Sequence, residues 1–441
     1  MDTGAHDTEA HGPTQRRGAP AEEPTRKGYR TGTHRTRSPR ETVEDYLRLA
    51  PRFGITRLAN VTGLDVLGLP VYVCVRPNSR GLSVSQGKGF DRDSARASAL
   101  MESIESWHAE RVQLPMRFES YLSLRESEPV VDVTALPLRR GAVLRLDQPM
   151  LFVRGEELMK SGRGRDVWVP YEAVTTNFVT TSRVGYTFLM TSNGLASGNT
   201  HLEAIDHAIC ELIERDALTL WQIEPDSSNK ARQIDLDTAG DPCCRDVLDR
   251  LARSGVRAAA WDITSDVGVP AYCAALFDCS DRPRWRRMGM FSGYGCHPSP
   301  AVALMRALSE AVQSRLTMIA GSRDDLFYRD YVHCTNEDDF RVMLASATTP
   351  PPALDFGSRA PMDTDTFDGD RDALLARLEG AGIESAVAVD LSLHDVGIPV
   401  VKVVIPGLEA MSLSSSYAPG MRARRKRAAI EAERAGRGVA R

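Results

Sequence analysis

The sequence predicts a mixed α/β (α+β) domain, on three observations. Short β-branched runs bounded by breakers fall at residues 71–75, 387–391 and 400–405 and read as strands. Stretches with apolar residues at helical spacing fall at 93–112, 199–222, 300–319 and 371–381. Of the 441 residues, 42% are hydrophobic, enough to bury one large core or two smaller ones. Strands and helices that mix in this way pack as helices on sheets. No tandem repeat breaks the chain into smaller units.

The flanks differ from this middle. Residues 1–26 combine low hydrophobicity, mixed charge and many breakers, and are expected to be disordered. Residues 27–410 form the expected domain. Residues 411–441 read as a basic C-terminal tail, with Arg422, Arg424, Arg425, Lys426 and Arg427 as a short helix or a loose segment. The stretch 348–352, followed by 363–372, reads as a surface excursion.

Bulk properties exclude several classes. A net charge of −4 gives no electrostatic footprint for nucleic acid. No run of 18 apolar residues is long enough for a membrane span, and the first 25 residues hold no apolar signal core. The eight cysteines form no C-x-x-C pair, which argues against ordinary zinc spacing and for reduced thiols in a cytoplasm.

Three helices carry a loaded polar side. In the first, Leu100, Ile104 and Trp107 make the apolar stripe, while Ser98, Glu102 and Glu105 share the opposite side. In the second, Ile205, Ala208, Ile209 and Leu212 face inward, and Asn199, Glu203, Glu211 and Glu214 project from the other side. In the third, Leu304, Leu308 and Val312 oppose Arg306, Glu310 and Gln313. A solvated amphipathic face would explain any one of them. Charge placement argues otherwise. A solvated face gains from Glu followed four residues later by Lys or Arg, yet of these glutamates only Glu211 has such a partner, Arg215. Glu102 with Glu105, and Glu211 with Glu214, are like charges three residues apart. The cluster is short of a cation, and a metal would supply it.

Carboxylate and amide oxygens suit Mg2+, which joins one or two carboxylates to phosphate oxygens and water. A di-iron carboxylate bundle is the rival. It needs Glu-x-x-His on two helices, and only Glu105 with His108 matches. Neither a P-loop nor a kinase-type Gly-rich loop is present. A bound nucleotide would therefore be held by carboxylates, Mg2+ and arginines, with Arg215 and Arg306 as the guanidinium candidates.

Four segments, taken in order, resemble the YcaO family. They are Gly87–Glu105 with its Ser-x-x-x-Glu-x-x-Glu, Ser192–Asp216 ending in Glu-x-x-Glu-Arg-Asp, Gly293–Arg315, and Val389–Glu409. The resemblance covers about residues 27 to 410. It implies a YcaO-type fold, with mixed sheets and helices around a cleft for ATP and Mg2+. On the matching positions it implies Glu102, Glu105, Glu203, Glu211 and Glu214 as Mg2+ ligands. It implies Ser98, Asn199, Arg215, Arg306 and Glu310 as nucleotide contacts, and Arg35 with Thr42 as an N-terminal ATP-contacting pair. Thr42 also reads as a helix-start residue. Glu214 and Arg215 are the expected catalytic residues.

Such enzymes phosphorylate a peptide-backbone amide oxygen so that a nucleophile can replace it. The protein's task is positioning and charge neutralisation, with no covalent nucleophile, and Cys296 reads as a structural thiol. The chain ends without the Pro-rich tail common in azoline-forming members, and the segment 27–39 resembles members that work with a TfuA-like protein. Thioamidation is therefore the expected reaction, with azoline formation or a non-catalytic peptide-binding role as alternatives. The expected partners are a precursor peptide or protein substrate, a TfuA-like protein and a second copy of the chain, with no nucleic acid and no membrane.

Overall fold

The structure, a computed structural model, describes residues 23–179, 186–225, 230–280, 288–349, 351–352 and 354–439. The expected disorder of 1–26 thus lies largely outside the described residues. Residues 23–26 are already held, since Arg26 bridges to Thr366 and the Thr25 N–H donates to Asp368.

Among the described residues, fourteen strands form three sheets. β1 (Arg57–Asn60), β2 (Val71–Val75) and β3 (Val84–Lys88) make a small antiparallel sheet. β4 (Met116–Ser120), β5 (Pro149–Glu157), β6 (Asp166–Pro170), β7 (Leu195–Ser197), β13 (Val387–Asp390) and β14 (Val400–Val404) make a six-stranded sheet in the order β4-β5-β13-β14-β7, with β6 pairing to β5. β8 (Gln233–Asp235), β9 (Val256–Asp262), β10 (Ala271–Asp278), β11 (Met290–Cys296) and β12 (Leu354–Asp355) complete the third, in the order β11-β10-β9-β8-β12.

Six helices shape the cleft and its surroundings: α1 (Pro39–Tyr46), α2 (Arg92–Ala109), α3 (His201–Trp221), α4 (Pro300–Ala320), α5 (Phe367–Gly380) and α6 (Met421–Val439). Their starts follow capping chemistry. The Asp91 side chain accepts from Ser94 N–H at α2, and Thr200 accepts from Glu203 N–H at α3. The expected start of α3 at Asn199 therefore moves two residues on, because Thr200 is the cap. At α1 the cap is Ser38, in a capping box with Glu41, so Thr42 lies inside the helix rather than starting it.

Glycines set the distance between sheets and helices. A Cβ on Gly87 would stand 2.0 Å from Ala99 N of α2, and one on Gly295 would stand 2.1 Å from Ala303 O of α4. Only glycine lets helix and strand approach so closely. Strand alternation then aims the intervening residues the other way. From β3, Gln86 reaches Thr317 of α4 and Lys88 reaches Glu310 of α4.

One expectation from the sequence gives way to the structure. Residues 363–372 are not a surface excursion. Thr366 caps α5, Phe367 is buried, and Asp370 is buried against Lys27. Of the two forms expected for the basic C-terminal segment, a short helix or a loose segment, the structure shows the helix: residues 421–439 are helical and held to α3. Both carboxylate oxygens of buried Asp216 accept from Arg422 at 2.9 Å, and Glu409 accepts from Gly420 N–H, Ala423 N–H and the Tyr417 hydroxyl. Among the described residues no helix is long and apolar enough to cross a membrane, and no disulfide joins the cysteines.

Candidate functional site

α2, α3 and α4 turn their polar sides toward one cleft of about 1040 Å³. Ser98, Glu102, Glu105, Asn199, Glu203, Glu211, Arg215, Arg306 and Glu310 all line it, as do Arg35 and Thr42. Glu214 does not reach its wall. It is 1% exposed behind Arg215, with Oε1 3.0 Å from that guanidinium and Oε2 unpartnered.

The acids differ in how they are balanced. Glu203 is saturated: it accepts from Thr36 N–H at 3.0 Å, Thr36 hydroxyl at 2.9 Å and the Asn199 amide at 3.1 Å, with Arg35 Nε at 3.5 Å. Asn199 in turn accepts from Arg37 Nε at 2.8 Å and from the Thr42 hydroxyl at 2.9 Å. Glu211 accepts from Gly194 N–H at 2.9 Å and pairs with Arg215 at 3.3 Å. Glu310 pairs with Lys88 at 2.6 Å. Although burial works against its charge, Lys88 and Arg215 hold its carboxyl below the ordinary range.

Glu102 and Glu105 stand apart. Among the described residues no cation lies within ion-pair distance of either. Among the described residues Glu105 accepts only from Ser197, backbone N–H at 2.8 Å and hydroxyl at 2.6 Å. Enclosure by protein, together with the neighbouring Glu102 and Glu211 charges, pushes it up to about 8. Glu102 is pushed up to about 7 by the same enclosure, against the pull of Lys88 and Arg323. Glu102 does keep accessible surface, but that surface borders the cleft, and the walls around it limit its solvation. Two adjacent oxygen donors that lack a cation, in a cleft with room for a polyanion, fit Mg2+ joined to phosphate oxygens. Glu102, Glu105 and Glu211 are the side chains that would hold it.

The iron rival loses its histidine. His108 is buried, its Nδ1 lies 2.8 Å from Ile104 O, and its ring packs on Phe53 and Trp107 away from the cleft. A second cluster of donors, His34, His297 and Asp370, sits in a pocket of about 20 Å³ behind Arg35. Its chemistry does not suit a metal. The Ser299 N–H donates to His297 Nδ1, which leaves the neutral ring protonated on Nε2, and Lys27 already stands 2.5 Å from Asp370. Cys296 is buried, and burial together with neighbouring Cys210 pushes its thiol well up, as a structural cysteine requires.

Sequence reasoning missed Lys88 and Arg323, which both line the cleft. Lys88 had a signal, the Gly87-Lys-Gly89 element before a helix cap. Arg323, paired with Asp325 beyond the end of α4, had none.

Fold and cleft together offer acids that could hold divalent cations beside a polyanion. Comparison with known proteins says which. The family model of YcaO cyclodehydratases, ATP- and Mg2+-binding, matches residues 86–409. The chain belongs to the YcaO family, and ATP and Mg2+ are its cofactors. It is 36% identical over 379 residues to an uncharacterised protein in the tfuA 3′ region of Rhizobium leguminosarum bv. trifolii, covering 84% of this chain and 87% of that one. Among solved structures, the fold is similar to YcaO from Methanopyrus kandleri bound with AMPPCP and Mg2+ (TM-score 0.67, 20% identity, 90% of this chain and 98% of that one). It is also similar to a heterocyclase in complex with substrate and cofactor (TM-score 0.70, 21% identity, 90% of this chain). The chain spans about half, 55%, of that heterocyclase.

Proposed function

We propose that this chain uses ATP and Mg2+ to phosphorylate a peptide-backbone amide oxygen, and that the modification it installs is a thioamide in a ribosomally made peptide or protein, with a TfuA-like protein as partner. The observation that carries the amide-activating reading is the pair Glu102 and Glu105, acids without a cation on the wall of a cleft lined by Arg35, Arg215 and Arg306. The relative in a tfuA 3′ region supports the thioamide. Cysteines without a disulfide among the described residues fit a reducing compartment such as the cytoplasm.

In this reading Glu102, Glu105 and Glu211 serve Mg2+, Glu203 holds Thr36, Asn199 and Arg35 beside them, and Glu214 acts by fixing Arg215. Arg35, Ser98, Asn199, Arg306 and Glu310 surround the nucleotide, and Thr42 orients Asn199. ATP supplies the phosphoryl group that turns amide oxygen into a leaving group. Hydrosulfide adds to the carbonyl carbon, the oxyanion takes the γ-phosphoryl group from ATP with ADP as leaving group, and phosphate departs with the original oxygen as the S–H proton is lost, leaving C=S. The protein's share is to hold the acceptor carbonyl in line and to neutralise charge. An azoline is the second reading, favoured by the cyclodehydratase description of the family.

The test is incubation of the purified chain with ATP, Mg2+, sulfide, a TfuA-like protein and candidate precursor peptides. Peptide-dependent ATP consumption, with a product in which one oxygen is exchanged for sulfur, is expected. Loss of one water from the peptide would favour the azoline instead. Absence of ATP consumption with every peptide would make the chain a binding component.

A further inference from the structure

Lys88 is the only lysine among the described residues that line the cleft. Its position is built rather than incidental. Gly87 and Gly89 are pressed against α2, where a Cβ on Gly89 would stand 2.5 Å from Ser94. The residue between them therefore projects from the opposite face of β3 toward α4. There its ammonium donates to Glu310 Oε2 at 2.6 Å, with both side chains about one-fifth exposed to the cleft.

This pair poses a charge problem. The site is short of cations at Glu102 and Glu105, yet one of its few positive groups is committed to Glu310. Arg215 also lies near enough to hold the Glu310 carboxyl down, so Glu310 would keep a cation without Lys88. Lys88 in turn acts on Glu102, where it is the strongest influence favouring the charged form. The ammonium thus stands between the acids of α2 and α4. Carboxylates that bind Mg2+ do so at the phosphate end of a nucleotide, because the base carries no charge for the metal to bridge. A lysine among them is a compact charge on a flexible four-carbon stem with rotatable donors.

We infer that Lys88 is a ligand of the terminal phosphate of the bound nucleotide, exchanging Glu310 for a phosphate oxygen when Mg2+ and ATP enter. This rests on the proposed function. Lys88 then neutralises the charge that grows on the transferred group, as a point charge from a Gly-flanked strand end.

Calorimetric titration of the full chain with AMPPCP and with ADP, each with Mg2+, tests it in wild type, Lys88→Met and Lys88→Arg. For Lys88→Met the affinity for AMPPCP falls about tenfold or more while that for ADP stays within about twofold, and Lys88→Arg recovers part of the loss. Equal weakening of both nucleotides would mean that Lys88 only holds Glu310 in place. Unchanged AMPPCP affinity would remove it from the site. Either result overturns the inference and leaves the proposed function standing, whereas failure of wild type to bind AMPPCP with Mg2+ would sink both. Should Lys88→Met lose the far-ultraviolet signal of the wild type, Lys88→Gln takes its place in the same titration.

Discussion

Two kinds of charge coexist in this molecule. Arg315, 2% exposed, is closed on both sides: its Nε donates to Asp65 at 2.8 Å, and its Nη2 to Asp278 at 3.1 Å. Arg76 and Glu110 form a similar pair, two bonds of 2.6 Å with Ser79 on the same carboxylate. The cleft acids on α2 are the opposite, two carboxylates with no cation within ion-pair distance among the described residues. Satisfied pairs hold the fold in one arrangement, and removing a partner from one strands a charge. Unanswered acids lower stability and have a reason to persist only if something binds them. The contrast separates structure from function without reference to any relative.

The largest expected effect is on the unanswered side. Glu102→Gln with Glu105→Gln removes two oxygen anions from the proposed metal site. ATP hydrolysis falls by about a thousandfold or more, while the melting temperature without Mg2+ rises at pH 8. A double variant that hydrolyses ATP at the wild-type rate would break the comparison. On the satisfied side, Arg315→Met takes from Asp65 and Asp278 the guanidinium they share and costs about 3–5 kcal/mol in urea unfolding. ATP hydrolysis per folded molecule stays near wild type, since Arg315 does not line the cleft. A variant of wild-type stability would show that the pair is structurally idle.

The same contrast has a pH signature. Glu105 near 8 and Glu102 near 7 keep protons that the unfolded chain gives up near the ordinary glutamate value. The folded state therefore binds more protons through the window from about pH 5 to 8, and stability falls as pH rises across it. Mg2+ competes for these sites, so it binds more tightly and raises the melting temperature more at pH 8.5 than at pH 6.5. Calorimetric melts with and without Mg2+ check this, and an equal Mg2+ effect at both values would contradict it.

How far the site was legible depends on where the information sits. Glu102 and Glu105 were visible because a helix fixes its own neighbours at three and four residues, so a missing counter-charge can be read along the chain. Lys88 was hidden because its partner Glu310 is 222 residues away, and no local period connects β3 to α4. Glu214 was grouped with Glu211 for the reverse reason. Helical spacing puts both on one broad side, and only packing decides that Glu211 faces the cleft while Glu214 sits behind Arg215. The strands at 71–75, 387–390 and 400–404 were read nearly to the residue, since β-branched runs end at breakers. The burial of Phe367 and Asp370 was not read, because a polar, Asp-rich surround masks the cap at Thr366 and the distant Lys27 that neutralises Asp370.

The smallest effect lies at the boundary between the two kinds of charge. Glu203 lines the cleft yet is fully answered, by Thr36, Asn199 and Arg35. Thr42 touches it only through Asn199, donating at 2.9 Å to the same Asn199 oxygen that accepts from Arg37. Thr42→Val keeps the shape and removes that one hydroxyl, a neutral hydrogen bond worth about 1 kcal/mol. Because Arg37 still holds Asn199, the loss of stability stays at about 1 kcal/mol or below, and KM for ATP rises about two- to fivefold with kcat little changed. If kcat falls with KM constant, Thr42 acts in the chemical step and Glu203 belongs with the unanswered acids. If neither parameter moves, the whole Thr36–Asn199–Thr42 network is structural, and the functional acids narrow to Glu102, Glu105 and Glu211.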